Sequence, residues 1–327
     1  MKHLSDLGER AAIDILSSIF SAPNIAYGIG DDCAAIELKE DYLLITTDMI
    51  SQKTHIPKEM TPYQLGWFIV AINLSDIAAK GGLPIGMVLN FGLPKNVSEG
   101  FLKQLAKGAN TCATTFNTNI IGGDMKETTE INLSGTAIGQ VKKDEFMPRK
   151  GIQSGDILAV TGTLGKAGAG YYSLNDKSHQ KNYSKLLFEP IPKIKEAREL
   201  AKLKCVTSCM DISDGLSSSL YQLQKLNNLS FEIRLENVPI SEELFILQKS
   251  QKIIPAYTAL HFGGDYELLV TIPHEKFQLA VDSLKKIGKK LTAIGKATKE
   301  KNITIIDKDG KKILENLGYE HFKNHIY

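Results

Sequence analysis

Leu65-Gly66-Trp67-Phe68-Ile69-Val70-Ala71-Ile72-Asn73-Leu74-Ser75-Asp76-Ile77-Ala78-Ala79, followed by Lys80, is apolar on nearly every side, the pattern of a helix enclosed by protein rather than one lying on a surface. Asn73, Asp76 and Lys80 are the exceptions, and their spacing of three and four puts them on one face. A polar stripe therefore runs along a buried helix. An ionised carboxylate buried without a partner costs several kcal/mol, so Asp76 requires either an ion pair, for which Lys80 is the neighbour four residues on, or a cation. Thr61-Pro62 marks the start of this helix, Pro being tolerated in a first turn.

On both sides of it the chain alternates strand-like and helix-like segments. Before it, residues 5 to 20 form an amphipathic helix with Leu7, Ala11, Ile15 and Ile19 on one face, and Tyr42 to Thr47 is a strand ending at Asp48. After it come a strand over 85 to 91, a helix over 98 to 116, a buried strand over 119 to 121 and a longer strand over 131 to 141. The pattern restarts after Pro148-Arg149-Lys150-Gly151, with strands near 157 to 161, 231 to 235, 267 to 272 and 291 to 297, and helices over 193 to 203 and 215 to 227. With 327 residues, about two domains are expected, an N-terminal one over 1–147 and a C-terminal one over 148–327, of mixed α/β (α+β) class.

Charge and cysteine usage narrow the function. The net charge of +2 gives no overall field for nucleic acid or an anionic membrane, although residues 1 to 150 carry a net −3 and the remainder +5. The Lys-rich segment from Lys285 to Lys312 is interleaved with Ile, Leu and acids, as a solvated surface is. Cys33, Cys112, Cys205 and Cys209 are too few for a disulfide scaffold and lack zinc-ligand spacing. Acids interrupt the first twenty residues, and no apolar run reaches the ~18 residues of a membrane span. A cytoplasmic protein is expected. Thr161 to Ala167 lacks the Gly and hydroxyl positions of a P-loop, and no dinucleotide fingerprint, protein-kinase catalytic loop or Gly-x-Ser-x-Gly elbow is present.

What remains is acid at unusual places. Gly28-Ile29-Gly30-Asp31-Asp32-Cys33 sets two carboxylates side by side, either a surface turn or a loop of hard oxygen ligands for Mg²⁺ or Ca²⁺. Thr46-Thr47-Asp48 leaves a strand end, as a cap or as ligands. Ile120-Ile121-Gly122-Gly123-Asp124 opens a strand into glycines that admit an anion to the backbone, or makes a tight turn. Met210-Asp211-Ile212-Ser213-Asp214-Gly215 repeats the arrangement before a helix that Ser213 or Asp214 would cap. Gathered in one place, Asp32, Asp48, Asp76, Asp124, Asp211 and Asp214 would repel one another unless divalent cations offset them.

Taken in order, these motifs together with Gly264-Asp265-Tyr266-Glu267-Leu268 and Gly318-Tyr319 resemble the thiamine-monophosphate kinase family, within a wider superfamily that includes aminoimidazole-ribonucleotide synthetase and selenophosphate synthetase. The resemblance implies ATP-dependent phosphorylation of thiamine monophosphate to thiamine diphosphate, by a homodimer whose N-terminal sheets share a barrel. It implies that Asp32, Thr46, Thr47, Asp48, Asp76, Asp124, Asp211 and Asp214 hold several Mg²⁺ ions. It further implies that Gly123, Asp124, Arg149 and Ser213 contact ATP, and that His55 and Tyr319 contact thiamine monophosphate. The family has a further acid where this chain has Gly264. The phosphate of thiamine monophosphate, with a second pKa of about 6, is its own nucleophile, so in-line transfer without a general base or phosphoenzyme is expected. The competing expectations are a relative of the aminoimidazole-ribonucleotide synthetase type acting on another substrate, and a cation- or nucleotide-binding protein without turnover.

Overall fold

The computed structural model describes residues 3–20, 25–176 and 178–323. Among these residues the strands form two sheets. The first contains β1 (Ala34–Glu37), β2 (Asp41–Ser51), β3 (Leu83–Leu93), β4 (Ile120–Glu127) and β5 (Asn132–Lys142), in the order β1-β2-β5-β3-β4. All neighbours are antiparallel except β3 and β4. The second contains β6 (Ile157–Thr161), β7 (Ser208–Asp211), β8 (Ser230–Arg234), β9 (Leu268–Ile272), β10 (Leu291–Thr298), β11 (Thr304–Asp307) and β12 (Gly310–Ile313), in the order β12-β11-β8-β10-β6-β9-β7.

Helices fill the connections: α1 (Leu4–Leu7), α2 (Glu9–Ile19), α3 (Gln52–His55), α4 (Pro62–Ala79) and α5 (Glu99–Thr115), then α6 (Lys166–Ser173), α7 (Gln180–Phe188), α8 (Ile194–Lys202), α9 (Leu216–Asn227), α10 (Glu242–Leu247), α11 (Pro255–His261) and α12 (His274–Lys286). The mixed α/β expectation holds, with both sheets of mixed direction. No helix among the described residues is long and apolar enough to cross a membrane.

The all-round apolar helix is α4, and its surroundings explain its composition. A capping box starts it: Gln64 N–H donates to Thr61 Oγ1 (3.3 Å), and Thr61 N–H donates to Gln64 Oε1 (3.0 Å). It then packs on α5, on β2 and β5 of the first sheet, and on α8 and β7 of the second half. The face of β5 that meets it carries Leu133, Ala137 and Val141, all buried, as a period of two requires. Trp67 donates from Nε1 to the Pro190 carbonyl (2.9 Å), tying the same helix to the C-terminal half. A helix between two halves has no solvent face.

Two sequence expectations are corrected here. The segment 5 to 20 is broken at Gly8 into α1 and α2, and its apolar side is not covered: Ile15 is 47% and Ile19 69% exposed. Periodicity reports amphipathicity but not what lies opposite it. The strand at Tyr42 does not end at Asp48 but continues to Ser51, because β5 offers an unbroken partner from Asp41↔Lys142 to Ser51↔Asn132.

Candidate active site

Each member of the α4 stripe reads a different part of the chain. Asn73 Oδ1 accepts from the Asp48 N–H (3.1 Å), fixing β2 against the helix. Asp76 Oδ2 accepts from Thr46 Oγ1 (2.6 Å). Lys80 does not pair with Asp76. Its ammonium, fully buried, lies 2.5 Å from Asp31 Oδ1 and 2.6 Å from Asp32 Oδ2, and donates to the Cys209 carbonyl (2.9 Å). Between stripe positions, Ser75 Oγ donates to Asp211 Oδ2 (2.6 Å), so α4 also holds the end of β7. The Gly30-Asp31-Asp32 turn is accordingly a pinned internal loop rather than a surface turn, with Asp32 9% exposed.

The result is a carboxylate cluster. One oxygen each of Asp32, Asp76 and Asp211 lies within 4.8 Å of the others. Asp48 is close enough to raise the pKa values of Asp76, Asp211 and Asp214. Arg149 closes one side, donating from Nε to Asp32 Oδ1 (2.9 Å), from Nη2 to the same oxygen, and from Nη1 to Gln222 Oε1 (3.1 Å). Burial alone would raise the Asp32 carboxyl, but Arg149 and Lys80 outweigh it and hold it below the usual range. At the other acids burial and like charge outweigh whatever cation is near, Arg149 for Asp211 and Arg10 and Arg149 for Asp214. Burial, then Asp48, Asp211 and Asp32, lifts Asp76 well above the carboxylate range. Burial, then Asp32, pushes Asp211 up to about 7 and Asp48 to about 6. Burial, then Glu9 of α2, brings Asp214 to about 6.

These shifts have a sign. A folded carboxyl that keeps its proton above its ordinary value of 3.8 makes the folded state bind more protons, so stability is present at low pH and lost as pH rises through the folded value. His55 and His261, both pushed down to about 4 by burial first, act oppositely between about 4 and 6.5, so the clean window starts above them. In EDTA, the Tm is expected to fall from pH 6.5 to pH 8.0 as Asp211 ionises, and saturating Mg²⁺ is expected to flatten that slope. A Tm in EDTA that rises over this interval would count against a repulsive cluster.

Not every anticipated residue joins the cluster. Thr47 is on the opposite face of β2 from Thr46 and Asp48, where its hydroxyl donates to the Gly135 carbonyl (2.8 Å). Gly122 and Gly123 are not a turn but part of β4, paired with Val88 and Leu89. A Cβ on Gly123, whose φ is +155°, would sit 1.8 Å from the Leu89 carbonyl oxygen, so glycine is required there for strand approach. The ladder Asp48↔Gly135↔Leu89↔Gly123 puts Gly123 three strand spacings, ~14 Å, from Asp48. Asp124 beside it is exposed and paired with Lys126 at 3.2 Å. Neither Ser213 nor Asp214 caps α9 with its side chain; Gly215 is the N-cap residue.

His55 and Tyr319 meet through a residue the sequence reading did not single out. The His55 and His321 rings are 5.0 Å apart, Tyr319 crosses His321 edge-on at 4.8 Å, and the Tyr319 hydroxyl lies 3.2 Å from His321 Nδ1. The Tyr319 N–H donates to the Asp214 carbonyl (3.0 Å), which sets this aromatic group beside the acids. The Asp265-Tyr266-Glu267 motif also sorts itself. Asp265 accepts from the Gly165 and Ala167 N–H groups (2.5 and 2.9 Å) at the start of α6, and Glu267, 1% exposed, meets Thr161 Oγ1 (2.8 Å) and Lys193 Nζ (3.0 Å). Gly264, at φ +96°, faces Ala167 Cβ and Leu187 Cδ1. No short motif announces Lys193 or His321, whose partners Glu267 and His55 are distant in sequence.

Fold and site define the class first: the profiles of AIR synthase related protein, N-terminal domain, and of the C-terminal domain of the same proteins match residues 30–141 and 153–308. Within that class the chain is 33% identical over 301 residues to the thiamine-monophosphate kinase of Pyrococcus horikoshii, covering 92% of this chain and 93% of that one. It is 34% identical over 291 residues to that of Methanospirillum hungatei, covering 89% and 92%. The solved structure of AaThiL complexed with AMPPCP and TMP superposes with a TM-score of 0.87 at 27% identity, over 98% of this chain and 99% of that one. The chain belongs to the thiamine-monophosphate kinase family.

Proposed function

We propose that this chain transfers the γ-phosphoryl group of ATP to the phosphate of thiamine monophosphate, giving ADP and thiamine diphosphate. The observation that carries the reading is the meeting of Asp32, Asp76 and Asp211, drawn from a loop, a helix and a strand of both halves, beside Arg149. The division into 1–147 and 148–327 belongs to the same reading, with the reaction at the seam. The donor set fits magnesium: its oxygens are hard ligands, and Asp32 Oδ2, sealed from solvent, makes no directional hydrogen bond although Lys80 Nζ is 2.6 Å away. Asp32, Asp76 and Asp211 would hold Mg²⁺, with Asp48, Asp214 and Thr46 around them. Bound there, the ions supply charge neutralisation between carboxylate and phosphate oxygens.

The protein's own part is positioning. Arg149 presents a planar, multidentate donor set suited to a phosphate, and Ser213 lies two residues past Asp211, the buried end of β7. Gly123 and Asp124, across the sheet from Asp48, take the far portion of ATP. His55 and Tyr319, joined by His321, present flat faces for the thiamine rings of the acceptor, whose phosphate then points at the acids. The acceptor phosphate is already dianionic near neutral pH, so no side chain removes a proton from it. A homodimer is part of this reading, supported by the exposed apolar residues Met49, Ile85, Ile121 and Met125 of the first sheet. So is the cytoplasm, supported by four free, buried cysteines.

The test is ATP consumption followed by ³¹P NMR with and without thiamine monophosphate. ADP and thiamine diphosphate are expected in equal amounts, only when Mg²⁺ and thiamine monophosphate are both present. ATP hydrolysis indifferent to thiamine monophosphate would overturn the assignment of the acceptor.

A further inference from the structure

Tyr266 has a backbone that its side chain resists. Its φ is +50°, a left-handed conformation that costs a bulky non-glycine residue about 1 kcal/mol or more, so the surrounding structure must impose it. Three backbone hydrogen bonds do so: Tyr266 N–H to the Ile212 carbonyl (2.9 Å), Ile212 N–H to the Glu267 carbonyl (2.8 Å) and Gly264 N–H to the Ser213 carbonyl (2.6 Å). The motif is thus stitched to the Asp211–Asp214 segment. Its neighbours Asp265 and Glu267 turn to the α6 N-terminus and to Thr161 and Lys193, while Tyr266 turns to the acids, with its ring edge-on to Phe68 of α4 at 6.2 Å. Asp48, Asp211, Asp214 and Asp76 all lie within electrostatic reach of the phenol, which like any tyrosine is an O–H at neutral pH. Among the described residues, that hydroxyl has no hydrogen-bond partner.

We propose that the Tyr266 hydroxyl is a further substrate-contacting group, donating a hydrogen bond to an anionic phosphate oxygen held among Asp48, Asp76, Asp211 and Asp214; this rests on the phosphoryl-transfer reading above. The chemistry follows from what each group offers. Ionised and occupied by cations, the four carboxylates accept only, and their lone pairs are committed. A neutral phenol adds no charge to the cluster, keeps its proton there, and finds its acceptor when a phosphate arrives. Imposed backbone strain then has a function, since it aims a donor before the substrate binds.

Tyr266→Phe keeps the ring, its contact with Phe68 and the backbone strain, and removes only the donor. The expected result is a kcat lower by ~10- to 100-fold with both KM values changed less than about threefold and an unaltered Tm. A second readout does not depend on turnover. In protein labelled with 3-fluorotyrosine, the ¹⁹F resonance missing from Tyr266→Phe is expected to shift when AMPPCP and Mg²⁺ are added. Wild-type kcat in Tyr266→Phe, or a resonance that does not move, would overturn the proposal. Failure of wild-type protein to use thiamine monophosphate would instead strike the acceptor assignment, and the ¹⁹F measurement with AMPPCP would still decide the role of Tyr266.

Discussion

Asp76→Asn is expected to lower Mg²⁺-dependent turnover by ~100-fold or more, about 3 kcal/mol of transition-state stabilisation, while leaving the metal-free protein as stable as the parent or more so. The two halves of this expectation have one cause. Asp76 is lifted far above the carboxylate range by burial and by Asp48, Asp211 and Asp32, with one short hydrogen bond from Thr46 pulling the other way. An amide of the same shape keeps an acceptor for Thr46 and ends the repulsion. A structural ion pair behaves differently: its neutralised member leaves a cation stranded, and stability falls. Lys80 is not stranded, because it is bound to Asp31 and Asp32. The checks are kcat at saturating substrates, Mg²⁺ affinity by calorimetry, and Tm in EDTA. Near-normal turnover would remove Asp76 from the ligand set, and a lower Tm in EDTA would mean that a cation within the protein already balances it.

What could be read from the sequence was whatever a short window determines. The capped start at Thr61-Pro62, the enclosed helix and its Asn73, Asp76 and Lys80 stripe are local patterns, and each recurs in the structure as read. Partners are not local. The spacing of four offered Asp76 as one mate for Lys80, with a cation as the alternative for Asp76, but Lys80 is the C-cap residue of α4, and its ammonium reaches Asp31, Asp32 and Cys209 instead. Thr47 lies one residue from two cluster members and on the other side of the strand, since period two outranks proximity in sequence. Gly122-Gly123-Asp124 reads in sequence as an opening for an anion or as a tight turn, whereas in the fold its glycine serves the close approach of β3. The hairpin of β11 and β12 was hidden in a Lys-rich run whose charges describe only its outer face. Tyr266 lies in a motif whose recognition carried no geometry and His321 in none, so their roles emerge only when distant segments are brought together.

Lys80→Met is expected to destabilise the protein by about 3–5 kcal/mol, a fall in Tm of roughly 10 °C, with a further loss of nucleotide-dependent activity. Lys80 is 0% exposed, and its ammonium donates to Asp31 Oδ1 in the first loop and to the Cys209 carbonyl in the second sheet, with Asp32 Oδ2 as an ion-pair neighbour at 2.6 Å. Burial would lower its pKa, but Asp32 and Asp31 outweigh that and raise it, so the side chain is charged at every working pH. Met matches its length and suits the Phe146 ring 6.0 Å away, so lost volume is not the issue. What remains is a second pair of acids beside Asp76 and Asp211, with Arg149 left to offset it. The double variant Lys80→Met with Asp32→Asn is therefore expected to be more stable than Lys80→Met alone, a coupling whose sign a packing defect would not produce. Mg²⁺ is expected to recover part of the lost Tm in the single variant and less in the double one, because Asp32 is then no longer a ligand. If Lys80→Met melts within 2 °C of the parent, the buried lysine is not what allows this loop to carry two adjacent carboxylates into the seam between the sheets, and Arg149, bonded to the same Asp32, would have to hold it alone.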